Sequence, residues 1–153
     1  MPGSIYLIKG DELVEMKDEE YGSERKLQDD LARYPNLLAG DQIDSEAPRR
    51  WLLVSREVPV PSEEEGGGRW SLDHLFLDQD GIPTLVEVKR SSNTEIRRKV
   101  VGQMLDYAAN AVAYWPLETI RMRVNDQVLT EFLGPDCDPE AFWQKVKTNL
   151  REA

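Results

Sequence analysis

Residues 70–89 read WSLDHLFLDQDGIPTLVEVK, and this stretch decides the fold. Two strand-like runs, 70–77 and 83–89, flank Asp78-Gln79-Asp80-Gly81, a strong turn signal. A turn centred near Asp80 pairs antiparallel residues whose numbers add to roughly 159–161. Asp73 then stands across from Glu87, to within one residue, with Cβ atoms of directly opposed residues ~4.5–5.5 Å apart. Glu87 and Lys89 are two apart in one strand and share a face. The hairpin therefore brings two carboxylates and an ammonium into one small volume. Opposed like charges cost energy unless something neutralises them. A divalent cation would do so, and Mg²⁺ prefers one or two carboxylates together with waters and phosphate oxygens. Lys89 would stabilise an attacking hydroxide or the charge developing on phosphorus.

Working outward, residues 51–58 (WLLVSREV) read as a strand closed by Pro59 and Pro61. The tract Glu63-Glu64-Glu65-Gly66-Gly67-Gly68 is too polar and glycine-rich to pack and reads as a loop. Residues 4–8 and 12–16 flank Lys9-Gly10-Asp11 as a short N-terminal hairpin occupying residues 1–20. Ser23 is placed to cap a helix over 24–34, with Leu27, Leu31 and Tyr34 on one side and Pro35 as its stop. Downstream, Thr94 opens a helix over 94–113, with Ile96, Val100, Met104 and Tyr107 on one stripe. Pro116 starts a helix running to Phe132, with Ile120, Val124, Val128 and Phe132 at spacings of four, and Gly134-Pro135 ends it. Asp138-Pro139 opens a last helix with Phe142, Val146 and Leu150 on one face. A hairpin, a helix, three strands and then helices predict an α/β (α+β) fold, a sheet covered by helices, in a single domain over 1–153.

Composition excludes several classes. At 153 residues, 40% apolar and 31% charged, the chain is ordinary globular material. Its longest apolar runs fall far short of the ~20 residues of a membrane span. The N-terminus lacks a basic region followed by an apolar one, so no secretory signal is legible, and the expected location is the reducing cytoplasm. A single cysteine, Cys137, forms no internal disulfide, and one histidine with one cysteine excludes a Cys/His zinc site. The net charge of −10 has the wrong sign for a general nucleic-acid coat. The charge is uneven, however. Residues 84–103 hold five basic and two acidic residues, net +3, so the remainder carries −13. A small basic patch on an acidic body suits a site.

Asp73, separated by thirteen residues from Glu87-Val88-Lys89, resembles the signature of PD-(D/E)XK nucleases, with Leu72 where the motif's proline often stands. On the following helix, Gln103-Met104-Leu105-Asp106-Tyr107 resembles the Q-x-x-x-Y motif of RecB-type members, and Glu24 matches the acid they often carry on an upstream helix. The resemblance covers residues 23–113. It implies a restriction-endonuclease-like core, a central mixed sheet flanked by helices, and an endonuclease that hydrolyses DNA, or RNA, with Mg²⁺ or Mn²⁺. Asp73 and Glu87 would bind the metal with the Val88 carbonyl, and Glu24 would orient the attacking water. Lys89 would position or activate the nucleophile, and Gln103 and Tyr107 would contact the metal site or the DNA backbone. Arg97 and Arg98, with Arg90 and Lys99 of the same basic patch, would bind phosphates. The superfamily core has a further strand after its second main helix. Residues 119–124 would have to supply it, but their spacing favours a helix, so that strand is expected beyond Ala153 in a longer protein. A homodimer, or another domain or subunit, would add grip on the substrate; no membrane partner is expected.

Plainer readings compete with each of these roles. Asp73 and Glu87 could be exposed strand charges, Glu87 balanced by Lys89 or Arg90, although flanking Leu85, Val86 and Val88 argue for burial. Tyr107 shares a stripe with core residues and could simply pack. Arg97-Arg98-Lys99 could be a solvated helix face. His74 neighbours Asp73 but points to the opposite sheet face, which argues against a general base. The four tryptophans read as packing, and Cys137 has no neighbour that would lower its pKa. Two other function classes stay open: a nucleic-acid-binding module of the same fold that does not cut, and a protein-interaction domain that docks a partner on its acidic surface.

Overall fold

The structure is a computed structural model that describes residues 3–60, 70–92 and 99–152. Among these residues it is a mixed α/β arrangement of six α-helices and two small sheets. Strands β1 (Ile5–Lys9) and β2 (Glu12–Met16) form an antiparallel hairpin, with Gly10 at φ 65° in its two-residue loop. Helix α1 (Glu24–Arg33) starts where Ser23 Oγ accepts from the Lys26 N–H at 3.1 Å and stops before Pro35. A short helix α2 (Gly40–Ile43) leads to strand β3 (Trp51–Val60). Strands β4 (Trp70–Asp78) and β5 (Pro83–Val86) complete a sheet of order β3-β4-β5.

That sheet departs from the mixed sheet the resemblance implied, because both of its strand pairs are antiparallel. Successive strands separated by few residues pair antiparallel, since a parallel neighbour would need a crossover of a dozen or more. Among the described residues, no strand follows β5. Strand β3 runs two residues past its expected end, through Pro59 to Val60. Its position at the sheet edge tolerates a residue with no N–H. Strand β5 stops at Val86, three residues short, for a reason that belongs to the site.

Helix α3 (Val101–Tyr114) is the described part of the helix expected over 94–113, and Thr94, Ile96, Arg97 and Arg98 lie outside the described residues. The single helix expected from Pro116 to Phe132 is two: α4 (Leu117–Arg121) and α5 (Asp126–Leu133). Asn125 breaks it, in extended backbone, with its side chain accepting from the Gln127 N–H at 2.7 Å as an N-cap. Arg123 pins the intervening loop to β3 through a 2.7 Å hydrogen bond to Ser55 Oγ. The break rotates the second half of the predicted stripe: Val128 is 46% exposed and Leu129 is fully buried in its stead. Helix α6 (Pro139–Glu152) buries Phe142, Trp143, Val146 and Leu150.

The core lies between the sheet and α3–α6, where Leu75 and Leu77 of β4 join Tyr107, Ala111, Ile120, Leu129, Trp143 and Val146. The alternate residues His74 and Phe76 are fully buried as well, with His74 turned toward α1. Strand β4 is thus covered on both sides, α1 on one and α3–α6 on the other. No helix among the described residues is long and apolar enough to cross a membrane.

Candidate active site

The β4–β5 ladder runs from Leu77↔Pro83 to His74↔Val86, the register anticipated from the turn. One more step would pair Asp73 with Glu87, but the ladder ends there. Instead, the Val88 N–H donates to Asp73 Oδ2 at 2.8 Å. A carboxylate has taken the place of a backbone acceptor, which draws the chain out of strand geometry just where Glu87 leaves β5. Asp73 is half-buried and Val88 buried. The Glu87 side chain is only 5% exposed, with Lys89 Nζ donating to its Oε1 at 2.7 Å. Glu87 Oε2 is buried and has no hydrogen-bond partner among the described residues. Buried polar atoms are almost always paired, so an orphaned carboxylate oxygen calls for a missing partner. The exposed-charge reading of Glu87 fails on this burial.

Glu24 reaches the same place from the other layer. It is the first residue of α1, and its Oε1 accepts from the Arg90 N–H at 2.9 Å. Two contacts hold α1 on the sheet: His74 Nε2 to the Gln28 carbonyl at 2.9 Å, and Arg56 to Asp29 at 2.7 Å. A carbonyl can only accept, so His74 Nε2 carries the proton. His74 faces α1 as its strand position required and serves to seat that helix, leaving it no part in the carboxylate cluster.

Tyr107 and Gln103, one turn apart on α3, close the third side. Gln103 Nε2 donates to the Tyr107 hydroxyl. Tyr107 is 2% exposed and belongs to the core, so the packing role and the site role coincide in one side chain. Burial pushes the Tyr107 phenol above its usual value of 10.0; the Gln103 hydrogen bond opposes this, and the nearby charge of Glu87 adds to the rise. For Lys89, burial works to lower the pKa, but the hydrogen bond to Glu87 and the charges of Glu87, Asp73 and Glu24 together outweigh it. The ammonium ends above its usual 10.5. One electrostatic neighbourhood thus joins Asp73, Glu87, Lys89, Glu24 and Tyr107.

A cleft of about 400 Å³ opens beside these groups, lined by Glu24, Leu27, Val88, Lys89, Arg90 and Ser91 and by Asp18, Glu19, Glu20 and Tyr21. The segment 18–21 carries no periodicity and no motif, and only the tertiary structure brings it to the site. Sequence reasoning also passed over Glu57. Between the pairs Arg56↔His74 and Val58↔Leu72, it stands opposite Asp73 with a left-handed backbone, φ 48°. That conformation costs a non-glycine residue ~1–2 kcal/mol, and strain of this kind tends to collect at functional sites. Arg90 is exposed at the cleft and Lys99 is exposed just before α3, while Arg97 and Arg98 lie outside the described residues.

Among the described residues, no three His, Cys, Asp or Glu side chains converge as a closed metal cage. The donors at hand are the Asp73 and Glu87 carboxylates and the Val88 carbonyl. All are hard oxygens, and one is a buried atom lacking any partner. Such a set fits a cation that keeps much of its water shell, as Mg²⁺ does, and does not fit one needing an all-protein cage. No family profile, curated protein or solved structure matches this chain.

Proposed function

We propose that this chain is a nuclease domain of restriction-endonuclease-like type, hydrolysing DNA phosphodiester bonds with Mg²⁺ or Mn²⁺. The observation that carries the proposal is Glu87, a carboxylate stripped of water beside Asp73 and Lys89, with one oxygen unpartnered. The ion pair with Lys89 occupies Oε1 and leaves Oε2 for a cation. Asp73, Glu87 and the Val88 carbonyl would hold the cation, which supplies charge neutralisation and Lewis acidity toward a phosphate oxygen.

The chain's own groups do the rest. Lys89 keeps its proton throughout the neutral range and stabilises negative charge as it builds on the phosphate. Glu24 spends Oε1 on the Arg90 N–H and so presents Oε2 to orient the attacking water. Tyr107, its proton held by burial and its hydroxyl accepting from Gln103, borders the metal site as a neutral group. Arg90 and Lys99, with Arg97 and Arg98, neutralise flanking phosphates. Four such contacts predict a modest salt dependence, with log K falling against log salt at a slope of about −3.6.

Calorimetric titration of Mn²⁺ into the wild-type chain, Asp73→Ala and Glu87→Ala tests the site without any guess about substrate. Saturable binding by the wild type and none by either variant is expected. A folded wild-type chain that binds no Mn²⁺ overturns the proposal. Incubating the loaded chain with single-stranded and duplex DNA then separates cutting from a module that only binds: retention of intact DNA in Mn²⁺ favours the latter.

A further inference from the structure

The cleft beside the carboxylate cluster takes its lining from two segments of opposite sign. Residues 88–91 bring Lys89 and Arg90, and residues 18–21 bring Asp18, Glu19 and Glu20 together with Tyr21. Among the described residues, no hydrogen bond or ion pair ties down the Arg90 guanidinium or the carboxylates of Asp18, Glu19 and Glu20. All four are exposed and free to meet a ligand. Tyr21 is 37% exposed, and Lys26 Nζ lies 5.3 Å from the centre of its ring, which helps to hold the ring in place. The volume of about 400 Å³ suits one small ligand, the size of a single nucleotide, rather than a length of double helix.

An acidic lining next to a phosphate-binding one restricts what can enter. Duplex DNA carries a phosphate row on each strand and would drive one of them past Asp18, Glu19 and Glu20, where like charges repel. A single strand has one row, which can lie along Lys89 and Arg90 while its bases turn the other way. A base then meets two kinds of group in segment 18–21. Its flat face stacks on an aromatic ring such as Tyr21. Its edge meets carboxylates, which only accept hydrogen bonds, so the edge must donate. Cytosine and adenine carry amino donors at N4 and N6. Thymine presents carbonyl oxygens on either side of its one N–H, and these repel a carboxylate.

We infer that the cleft takes one unpaired nucleotide of single-stranded DNA and selects its base. The phosphate lies at Lys89 and Arg90, the base stacks on Tyr21, and its amino group donates to the carboxylates of Asp18, Glu19 and Glu20. Cytosine and adenine are therefore taken over thymine, and duplex is disfavoured. The inference rests on the proposed nuclease reading for its choice of a nucleic acid as ligand. It adds a base-reading role for a segment that the proposed chemistry leaves unused.

The test is fluorescence anisotropy of labelled oligo(dC), oligo(dA) and oligo(dT) of equal length, and of a mixed-sequence duplex, with the full chain in Ca²⁺. Oligo(dC) and oligo(dA) are expected to bind at least about fivefold more tightly than oligo(dT), and the duplex more weakly than oligo(dC). Tyr21→Ala should weaken oligo(dC) by about fivefold or more, whereas Tyr21→Phe, which keeps the ring, should bind like the wild type. A triple variant, Asp18→Asn with Glu19→Gln and Glu20→Gln, keeps the shapes but lets this segment donate as well as accept. In it the preference for oligo(dC) over oligo(dT) should vanish while overall affinity for DNA does not fall. These four residues are exposed, so the substitutions leave the core intact. Equal binding of the three oligonucleotides overturns the inference, as does a preference that the triple variant retains. So does a chain that takes up Mn²⁺ yet binds no single strand. The nuclease reading is scored separately: cleavage in Mn²⁺ without base preference sinks the inference alone, and base-selective binding without cleavage upholds it while removing the nuclease.

Discussion

The chain contains two hairpins built on the same local plan, with opposite fates. Both are antiparallel, and both turn on a left-handed glycine: Gly10 at φ 65° and Gly81 at φ 74°. In β1–β2 every residue meets solvent. In β4–β5 the strand β4 is buried on both faces, and even its turn is tied into the fold. Asp78 Oδ1 accepts from the N–H groups of Asp80 and Ile82, each at 2.9 Å, and Arg49 approaches Oδ2 at 3.2 Å. Turn chemistry sets register in either case, because it is local. Burial comes from what the rest of the chain lays against the strands, and burial is what gives a carboxylate unusual chemistry. Glu15 of β2 is a hydrated charge opposite Tyr6, whereas Glu87 is stripped of water beside a second acid and a lysine.

The largest test of this contrast is a pair of truncations. Phe76→Ala, at a fully buried site of β4, is expected to cost about 3–5 kcal/mol of unfolding free energy. Leu7→Ala in β1 should cost under about 0.5 kcal/mol in the same urea titration. Similar losses from the two would mean that β1–β2 belongs to the cooperative core. Next comes chemistry. Glu87→Gln keeps the shape and removes the charge, and on the proposed nuclease reading cleavage should fall by a factor of about 100 or more, while Glu15→Gln leaves the rate unchanged.

The turn glycines offer a sharper comparison, since both sit at positive φ. A Cβ at Gly81 would lie 3.0 Å from Val146 Cγ2 and 3.2 Å from the Val146 backbone nitrogen; one at Gly10 meets nothing within 4 Å. Gly81→Ala should cost about 2–3 kcal/mol, strain and overlap together. Gly10→Ala should strain only the exposed hairpin, shifting the global midpoint by less than about 0.5 kcal/mol. Equal shifts would show the two turns to be energetically coupled to the fold alike. A smaller effect is expected at the helix that brings Glu24 to the cleft. Ser23→Ala removes the hydrogen bond to the Lys26 N–H and should cost about 1 kcal/mol. It should also slow the proposed cleavage, because Glu24 is the next residue; an unchanged rate would detach Glu24 from the proposed reaction.

Much of this arrangement was legible in the residues, and the illegible parts have identifiable causes. Asp78 to Gly81 announced a turn whose register held, and Ser23 and Pro35 bracketed α1, because caps and turns are decided within a few residues. The end of β5 was not legible: it depends on Asp73, fifteen residues away, capturing the Val88 N–H. The break in the helix from 116 to 132 was hidden by the regular stripe of Ile120, Val124, Val128 and Phe132. The capping capacity of Asn125 and the pull of Ser55 on Arg123 outweighed that periodicity. Asp73, Glu87 and Lys89 were picked out by type and spacing, and Glu24 by resemblance to a family. The cleft wall at Asp18–Tyr21 was not, since only the tertiary fold brings it there. The mixed sheet came from resemblance to a family rather than from these strands, and both strand pairs of the described sheet are antiparallel instead.

The smallest expected effect is a pH dependence that reads the buried cluster without substrate or metal. Lys89 has its folded pKa raised above the usual 10.5 by Glu87, Asp73 and Glu24 despite burial. Its contribution to stability is therefore complete below that value and is lost as pH climbs through the folded pKa. Tyr107 acts in the same direction: the unfolded chain gives up the phenolic proton from about pH 10, while burial makes the folded chain retain it. Over this interval the unfolded state binds fewer protons than the folded one, so unfolding becomes easier as pH rises. Urea midpoints measured from about pH 8 to 11 should decline at the alkaline end for the wild type, and less steeply for Lys89→Met and Tyr107→Phe. If both variants decline as steeply as the wild type, the cluster's charges are hydrated in solution, and β4–β5 would differ from β1–β2 in packing alone.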